Sequence, residues 1–382
     1  MPAPAANWSY PTAIRFGPGR IAELPAACEA AGIARPLLVT DRGLASLPIT
    51  VAALDLLEGA GLGRALFSDV DPNPDDVALA AGVAAFRAGG HDGVVAFGGG
   101  SGLDLGKLIA FMSGQSRPVW DFEDIGDWWT RADPAGIAPI VAVPTTAGTG
   151  SEVGRAGVLT NSETHVKKII FHPKILPSVV ICDPELTTGM PRVITVGTGL
   201  DAFAHCLEAW CSPFYHPMSA GIALEGMRLV MENLPIAAAE PGNLRARAEL
   251  MSAAAMGAVA FQKGLGAIHA LSHPVGAVHN THHGMTNAVF IPTVLAYNRP
   301  AVEERISRAA AYLGIEGGFD GFMEAVIGLC ADLGVPPTLT ALGVSNPDLK
   351  ALALMAAEDP SCGGNPMPLD AAILADLYAQ AL

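Results

Sequence analysis

The chain has few charged residues, and fewer basic ones than acidic ones. Only 15% of its 382 residues are charged whereas 51% are hydrophobic, and 22 basic against 37 acidic residues give a formal net charge of -15. No run of Lys or Arg offsets this charge. Because such a protein repels a phosphate backbone, we expect no nucleic-acid partner. So little polar cover also indicates apolar surface buried between subunits, which predicts a homodimer or a higher homo-oligomer.

Signals for export, membrane insertion and disulfide pairing are also missing. The sequence has no stretch of about eighteen uncharged apolar residues, and its N-terminus has neither the basic segment nor the apolar core of a signal peptide. Six cysteines are scattered without the spacing of a disulfide framework, and no paired CxxC occurs. These absences predict a cytoplasmic protein with no membrane partner, and they argue against a purely structural zinc site.

Up to about residue 188, short apolar runs alternate with longer helical patterns. The runs are Pro36–Thr40, Ala65–Phe67, Gly93–Phe97, Ile140–Val143 and Ser178–Cys182. Strands regularly separated by helices predict a parallel sheet with helices on both faces. From Arg192 onward, strand signals vanish and Ala-, Leu- and Met-rich segments continue at helical period. We therefore predict an α/β domain over residues 1–188 and an all-helical domain over residues 189–382.

A glycine-rich stretch, GGGSGLDLGK at residues 98–107, follows the predicted strand Gly93–Phe97. Glycines between a strand and a helix let backbone amides approach a pyrophosphate, which favours a dinucleotide site. The pattern is not G-x-G-x-x-G and follows a later strand, so a tight turn without a ligand stays open as an alternative. A second loop, PTTAGTGSE at residues 144–152, offers small residues and threonine hydroxyls after another strand. Two such loops could hold both ends of one extended cofactor.

Asp41 follows the predicted strand Pro36–Thr40. An acid at this place can accept hydrogen bonds from an adenosine ribose and repel a 2'-phosphate, which favours NAD over NADP. The alternative is an Asp that caps an ordinary turn.

Histidine is concentrated in one part of the chain. Five of the ten histidines lie between residues 269 and 283, at His269, His273, His279, His282 and His283. Upstream, Asp201 and His205 are four residues apart, which puts them on one face of a helix. A lone histidine is usually a satisfied core residue, but this combination predicts one divalent metal site. A carboxylate oxygen with several imidazole nitrogens suits Fe(II) or Zn(II), and the site is predicted to be catalytic.

In combination these motifs resemble those of the iron-containing (group III) alcohol dehydrogenases, over nearly the whole chain. They are the GGGSxxDxxK pattern at 98–107, PTTAGTGSEV at 144–153, Asp201-x-x-x-His205, and His269-x-x-x-His273-Pro274 continuing to NTHHG at 280–284. The resemblance implies a dehydroquinate-synthase-like fold, with an NAD(P)-binding α/β domain, a helical domain and an active site in the cleft between them.

The resemblance also implies roles for individual residues. It gives the metal ligands as Asp201, His205, His269 and His283, and it puts His273 near the nicotinamide and the reacting carbon. Cofactor-side positions are Asp41, Asn73, Gly99, Gly100, Ser101, Asp104, Thr145, Thr146, Thr149 and Lys168. All four ligand positions are intact, which favours a metal-dependent enzyme. His279 and His282 depart from the aromatic residue and the proline that are common in the family.

Oxidation of an alcohol requires a lower pKa for its hydroxyl group, and a divalent ion that coordinates the oxygen supplies this. Four protein ligands must still leave room for the substrate oxygen, which favours Fe(II) over a closed tetrahedral zinc site. His273 could relay the hydroxyl proton or orient the nicotinamide. A structural role beside His269 is the alternative.

Two cations, Arg155 and Lys263, bracket the expected cleft in this cation-poor chain. A guanidinium or ammonium group there would bind a carboxylate, which predicts an ω-hydroxy acid such as 4-hydroxybutyrate, with its semialdehyde, as the favoured substrate. If both are surface or scaffold cations, a broad primary alcohol or diol dehydrogenase remains. A metal- and NAD-dependent cyclase or lyase on the same fold is a further alternative. An enzyme of that type, with a phosphorylated substrate, needs a more basic pocket than the few cations of this chain can form.

Overall fold

The computed structural model describes residues 10–164 and 166–382. The chain divides into two compact units. Within the described residues, the first unit comprises Tyr10–Thr146 and Gly150–Gly189, and the second comprises Ala147–Thr149 and Met190–Leu382. The expectation drawn from the N-terminal residues 1–9 lies outside the described part.

The first unit contains a six-stranded parallel sheet and a separate antiparallel hairpin. Its strands are β1 Ala13–Phe16, β2 Pro36–Val39, β3 Leu66–Phe67, β4 Gly93–Gly98, β5 Ile140–Pro144, β6 Ala156–Thr160, β7 Lys167–Phe171 and β8 Val179–Cys182. The sheet order is β1-β8-β5-β4-β2-β3, and β6 pairs with β7. Every residue of β2, β4, β5 and β8 is buried, as the near-continuous apolar runs of a parallel sheet require. The predicted α/β class is confirmed.

The sheet order reverses direction between β2 and β4. From β2 the chain runs outward to β3, and then it crosses back to β4 and continues outward on the other side through β5 and β8. Ligands of open α/β sheets bind outside the carboxyl ends of the strands at such a reversal. The residues that follow β2 and β4 are Asp41 and the glycine-rich stretch 98–107, so the topology brings these two predicted elements to one place.

Four α-helices belong to this unit: α1 Leu24–Ala30, α2 Pro48–Gly59, α3 Asp76–Ala88 and α4 Gly100–Met112. Helix α4 is buried over most of its length. It approaches β4 closely because Gly106 has no side chain: a Cβ there would lie 2.7 Å from the Cβ of Ala96. The core cluster on α1 and α2 includes Leu24, Leu54 and Leu57, which are buried with residues of β2, β4, β5 and β8.

The second unit is helical and has no strand among its described residues. Its α-helices are α5 Arg192–Cys211, α6 Pro217–Ala239, α7 Leu244–Ala260, α8 Ala267–His279, α9 His283–Tyr312, α10 Gly318–Asp332, α11 Leu349–Ala357 and α12 Ala371–Gln380. The predicted helical C-terminal half is confirmed. Helix α5 is central, since it is buried along most of its length and packs against α6, α7 and α9. No helix in the described ranges combines the length and the apolar character needed to cross a membrane.

Candidate metal centre and nucleotide site

The glycine-rich stretch forms the turn from β4 into α4. Gly98 has φ 143°, which only glycine adopts readily, and its carbonyl oxygen accepts a hydrogen bond from the Thr145 amide at 2.9 Å. A Cβ on Gly99 would stand 3.1 Å from the Thr146 side chain, so the two predicted loops touch. Helix α4 begins at Gly100, and its first backbone N–H groups have no partner within the helix. This helix start can bind a pyrophosphate.

Asp41 follows β2 beside this turn. Its Oδ1 accepts a hydrogen bond from the Leu44 amide at 3.0 Å, as expected of an Asp that caps a turn. Its Oδ2 accepts no hydrogen bond from a described residue, so one oxygen is left for a ribose hydroxyl. The next residue, Arg42, forms ion pairs with Asp69 and Asp71. The neighbouring cation is thus already neutralised.

Asp104 and Lys168 have protein partners. Asp104 is buried and accepts hydrogen bonds from the Ser151 hydroxyl and from the Val158 amide at 3.2 Å, so it joins α4 to the second loop and to β6. Lys168 on β7 donates to Glu123 Oε1 at 2.7 Å. Asn73 has a left-handed backbone with φ 59°. Nine of the ten predicted cofactor residues lie in the first unit, and Thr149 belongs to the second.

Four predicted metal ligands meet in the second unit, although they come from three helices. Asp201 and His205 lie on α5, His269 lies on α8, and His283 is the first residue of α9. The Nε2 atoms of the histidines all face Asp201 Oδ1, at 3.7 Å for His205, 3.6 Å for His269 and 3.4 Å for His283. Asp201, His205 and His269 are buried and their ligand atoms lie within 4.8 Å of one another. The side chain of His283 is 32% exposed.

The charges in this cluster are strongly coupled. Burial works to raise the pKa of Asp201, but His205, His283 and His269 hold it well below its usual range. Burial lowers the pKa of His205 to about 4, so its imidazole is neutral near pH 7. Burial also acts to lower the pKa of His269, but the carboxylates of Glu208 and Asp201 outweigh it and raise the pKa to about 10. Near pH 7 the metal-free His269 therefore carries a second proton, which a bound cation would displace from Nε2. An ionised carboxylate facing imidazoles is the donor set that a divalent cation needs.

His273 lies one turn after His269 on α8 but outside the buried cluster. Its ring stacks on that of His283, with ring centroids 5.2 Å apart and an interplanar angle of 14°. Its Nδ1 lies 2.7 Å from Asp359 Oδ2. Burial works to raise the pKa of Asp359, but His273 and Ser361 hold it below its usual range. The ionised Asp359 thus accepts the Nδ1 proton, so Nε2 is the ring nitrogen left to exchange a proton with a ligand.

Known protein families match both units. The family model for iron-containing alcohol dehydrogenases covers residues 11–184, and the model for the C-terminal part of the same family covers residues 195–382. The chain belongs to the iron-containing alcohol dehydrogenase family. The resemblance of the motifs to this family and the prediction of an alcohol dehydrogenase are therefore confirmed.

Relatives within the family act on different substrates. The chain is 38% identical over 347 residues to the 4-hydroxybutyrate dehydrogenase of Cupriavidus necator, covering 88% of this chain and 89% of that protein. It is 36% identical over 385 residues to the 1,3-propanediol dehydrogenase of Klebsiella pneumoniae, covering 98% of each.

Solved structures of similar enzymes share the fold of this chain. A crystal structure of a 1,3-propanediol oxidoreductase has a TM-score of 0.94 at 36% identity, over 99% of this chain and 100% of that one. The sulfoacetaldehyde reductase of Bifidobacterium kashiwanohense in complex with NAD+ has a TM-score of 0.90 at 30% identity, over 99% of each chain. The dehydroquinate-synthase-like fold predicted with the family is confirmed.

Three polar residues of the dehydrogenase site were missing from the sequence prediction. Glu208, Asn287 and Asp359 each contact a predicted site residue. Asn287 is fully buried on α9, and its Nδ2 lies 2.9 Å from Asp201 Oδ1. Helical spacing could have revealed two of them, since Glu208 stands seven residues after Asp201 and Asn287 four after His283. Asp359 stands 86 residues from His273 and leaves no such signal.

The two family-atypical histidines flank the α8–α9 connection: His279 is the last residue of α8, and His282 immediately precedes α9. His282 packs on Gly197 of α5, where a Cβ would collide with the imidazole ring. Its Nδ1 and the Nε2 of His279 are buried without a hydrogen-bond partner among the described residues. These contacts do not explain why histidines occupy the two positions.

Arg155, one of the two predicted substrate cations, is half-buried in the first unit. Its guanidinium group lies over the ring of Phe171, 5.3 Å from the centroid, and it forms no hydrogen bond with a described residue. Burial raises the pKa of Asp124, and Arg155 opposes this shift. The donors of Arg155 are therefore available to a ligand.

Lys263, the other cation, is hydrogen-bonded to backbone groups of the dehydrogenase itself. Its buried ammonium group donates to the backbone oxygens of Ala209 at 2.8 Å, Trp210 at 3.2 Å and Ser212 at 2.8 Å. Arg305 donates to the same end of α5. Both cations therefore cap the C-terminus of α5, where the helix dipole favours positive charge. Because an ammonium group has three protons, the geometry argues against a contact between Lys263 and the substrate.

Lys263→Met should therefore weaken the fold rather than alter specificity. The Ala209 oxygen would lose its ammonium donor, and the Trp210 and Ser212 oxygens would keep only Arg305, so we expect the free energy of unfolding to fall by about 1 to 3 kcal/mol. Urea denaturation followed by circular dichroism measures this, with Lys350→Met on the exposed side of α11 as the control. A variant of unchanged stability that loses affinity only for carboxylate substrates would instead put Lys263 in the substrate site.

Proposed function

We propose that this chain is a metal-dependent, NAD-linked dehydrogenase that interconverts a primary alcohol and its aldehyde, with Fe(II) as the favoured ion and Zn(II) as the alternative. The observation that carries the proposal is the convergence of three imidazole Nε2 atoms on Asp201 Oδ1 in a buried place. Family membership supports NAD and a divalent ion as the cofactors.

The donor set fits such an ion. Ligands that stand about 2.0–2.2 Å from one ion at tetrahedral angles are roughly 3.4 Å apart. The distances from Asp201 Oδ1 to the three Nε2 atoms, 3.4 to 3.7 Å, agree with this spacing. We propose Asp201, His205, His269 and His283 as the ligands. This set of one carboxylate and three imidazoles would hold Fe(II) or Zn(II), and Fe(II) is favoured because it accepts more ligands than a tetrahedral zinc does.

The reaction assigns separate tasks to the residues of the chain. A bound divalent ion would lower the pKa of the alcohol and polarise the aldehyde, and NAD would accept the hydride. His273 would accept the hydroxyl proton at Nε2, because Asp359 accepts the proton of Nδ1. The start of α4 would bind the pyrophosphate of NAD through backbone amides, and Asp41 Oδ2 would accept a ribose hydroxyl.

For the substrate we propose an ω-hydroxy acid such as 4-hydroxybutyrate. The similarity to a 4-hydroxybutyrate dehydrogenase and the available donors of Arg155 support this choice. A diol or broad primary alcohol substrate is the second candidate, supported by the similarity to 1,3-propanediol dehydrogenases. Composition supports a homo-oligomer that has no nucleic-acid partner.

A substrate panel tests the proposed function. The Fe(II)-loaded protein is assayed for NADH formation with alcohols, diols and ω-hydroxy acids of two to six carbons. We expect NADH to form with primary alcohols as a class, and most efficiently with 4-hydroxybutyrate. The absence of NADH with every substrate, at any pH at which the protein is folded, would contradict the dehydrogenase proposal.

We expect the wild-type protein to prefer NAD over NADP. Asp41 would face the extra phosphate of NADP, and the neighbouring Arg42 is held by Asp69 and Asp71. Asp41→Gly should lower the ratio of kcat/KM for NAD to that for NADP by about tenfold, since this is the effect of roughly 1.4 kcal/mol.

The variant Asp41→Asn separates charge from turn structure, because its amide oxygen can still accept from the Leu44 amide. It should relax the preference nearly as much as Asp41→Gly does. A wild-type protein with equal kcat/KM for both cofactors would refute the role given to Asp41.

A further inference from the structure

We propose that Glu208 is a positioning residue for metal binding, which holds His269 in the tautomer whose Nε2 presents a lone pair to the ion. This inference rests on the proposed metal-dependent function. Glu208 contributes no ligand atom of its own; it acts through the imidazole of His269.

Both oxygens of Glu208 have a defined partner. Its Oε2 lies 2.6 Å from His269 Nδ1, and its Oε1 accepts a hydrogen bond from the Ile268 amide at 2.6 Å. Glu208 and His269 are 5% and 1% exposed, so water does not compete for these contacts. When Nδ1 of a neutral imidazole donates its proton to a carboxylate, Nε2 is the free nitrogen.

The position of Glu208 on α5 explains how one carboxylate reaches both groups. Asp201, His205 and Glu208 are spaced four and three residues apart and share one face of the helix. Helix α5 therefore supplies two proposed ligands together with the residue that orients a third ligand on α8. The amide of Ile268 lies in the first turn of α8, where backbone N–H groups have no partner within the helix. Glu208 thus fixes the backbone of α8 as well as the ring of His269.

His205, the other buried histidine of the cluster, has no carboxylate at its Nδ1 among the described residues. His205 Nδ1 is buried and has no hydrogen-bond partner among the residues that the structure describes. Removing the carboxylate of Glu208 should therefore act on His269 and leave the tautomer of His205 unaffected.

Glu208→Gln tests the proposal with almost no change in shape. Two N–H groups face the carboxylate, but a glutamine amide offers only one oxygen. If the oxygen serves Ile268, the amide nitrogen faces His269 Nδ1, which must then act as acceptor while Nε2 keeps the proton. That tautomer cannot bind the ion through Nε2.

Metal affinity is the decisive measurement, and it does not depend on turnover. Co(II) is titrated into the metal-free protein against a competing chelator, and its visible absorption reports the coordination. We expect Glu208→Gln to bind Co(II) about 10- to 100-fold more weakly, with an altered spectrum. Glu304→Gln on the exposed side of α9 is the matched control and should bind like the wild-type protein. Wild-type affinity in Glu208→Gln would overturn the proposal.

A double-mutant cycle shows whether Glu208 acts through His269. In the His269→Ala background the weak Co(II) affinity left to the other ligands is measured at higher Co(II) concentration. Adding Glu208→Gln should weaken it no further, whereas an equal loss in both backgrounds would contradict the assigned partner. If Glu208→Gln does not fold, Glu208→Asp draws both oxygens back by one methylene, and undiminished Co(II) affinity there would overturn the proposal. If the wild-type protein binds neither Co(II) nor Fe(II), the proposed function fails, and that result is distinct from failure of the role of Glu208.

Discussion

His269→Ala is expected to lose its bound metal and nearly all turnover while it keeps its fold. The imidazole is one of four proposed ligands, and the carboxylates of Asp201 and Glu208 would be left beside a cavity. An incomplete ligand shell binds a divalent ion far more weakly, so we expect a fall in kcat/KM of at least about 100-fold. Metal content after dialysis, circular dichroism and NADH formation measure the three parts of this expectation. A variant that retains both metal and activity would remove His269 from the ligand set.

His283 and His282 provide a matched pair for the same experiment. The Nε2 of His283 lies 3.4 Å from Asp201 Oδ1, whereas His282 packs against Gly197. His283→Ala should therefore lose the metal and His282→Ala should retain it. The reverse result would show that the fourth ligand has been assigned one residue too late.

Arg155→Met is expected to raise KM for 4-hydroxybutyrate much more than for 1-butanol or 1,4-butanediol. The guanidinium group has no hydrogen-bond partner among the described residues, so a substrate carboxylate could take its donors. Loss of a charge-assisted contact costs about 1.5 to 3 kcal/mol, which corresponds to roughly 10- to 150-fold in kcat/KM for the acid. The measurement is kcat and KM for the three substrates with NAD and Fe(II).

Arg131→Met is the control, because Arg131 also lies over an aromatic ring, that of Trp128, but is exposed. Arg131→Met should leave kcat and KM unchanged for all three substrates. If the wild-type protein oxidises 1-butanol as efficiently as 4-hydroxybutyrate, the proposal of an anionic substrate fails and the diol or broad alcohol dehydrogenase remains.

Five strands could be predicted from the sequence, namely β2, β3, β4, β5 and β8, whereas β1, β6 and β7 could not. Strands β2, β4, β5 and β8 are buried at every residue, so burial alone produced runs of apolar residues. Strand β1 at the edge of the sheet carries Arg15 and is mostly exposed, and the hairpin of β6 and β7 is only partly buried. None of these three strands shows a continuous apolar run, because only part of each strand is buried.

Helical spacing in the sequence predicts contacts between residues one turn apart, but not contacts between distant parts of the chain. Asp201 and His205 are one helical turn apart, and the structure places them together with His269 as the motifs suggested. Lys263 shows where this reasoning stops. Its partners are carbonyl oxygens at the end of α5, more than fifty residues earlier, and backbone carbonyls leave no signature in a sequence. The contact of Asp359 with His273 is long-range for the same reason.

Metal dependence of NADH formation tests the central claim most directly. The protein is stripped of metal with a chelator, shown by circular dichroism to remain folded, and then titrated with Fe(II) under anaerobic conditions in the presence of NAD and 4-hydroxybutyrate. We predict no NADH formation without metal and a rise in rate that saturates at one Fe(II) per chain, with the same titration of His269→Ala giving no rise. Full activity in the metal-free protein would contradict the account.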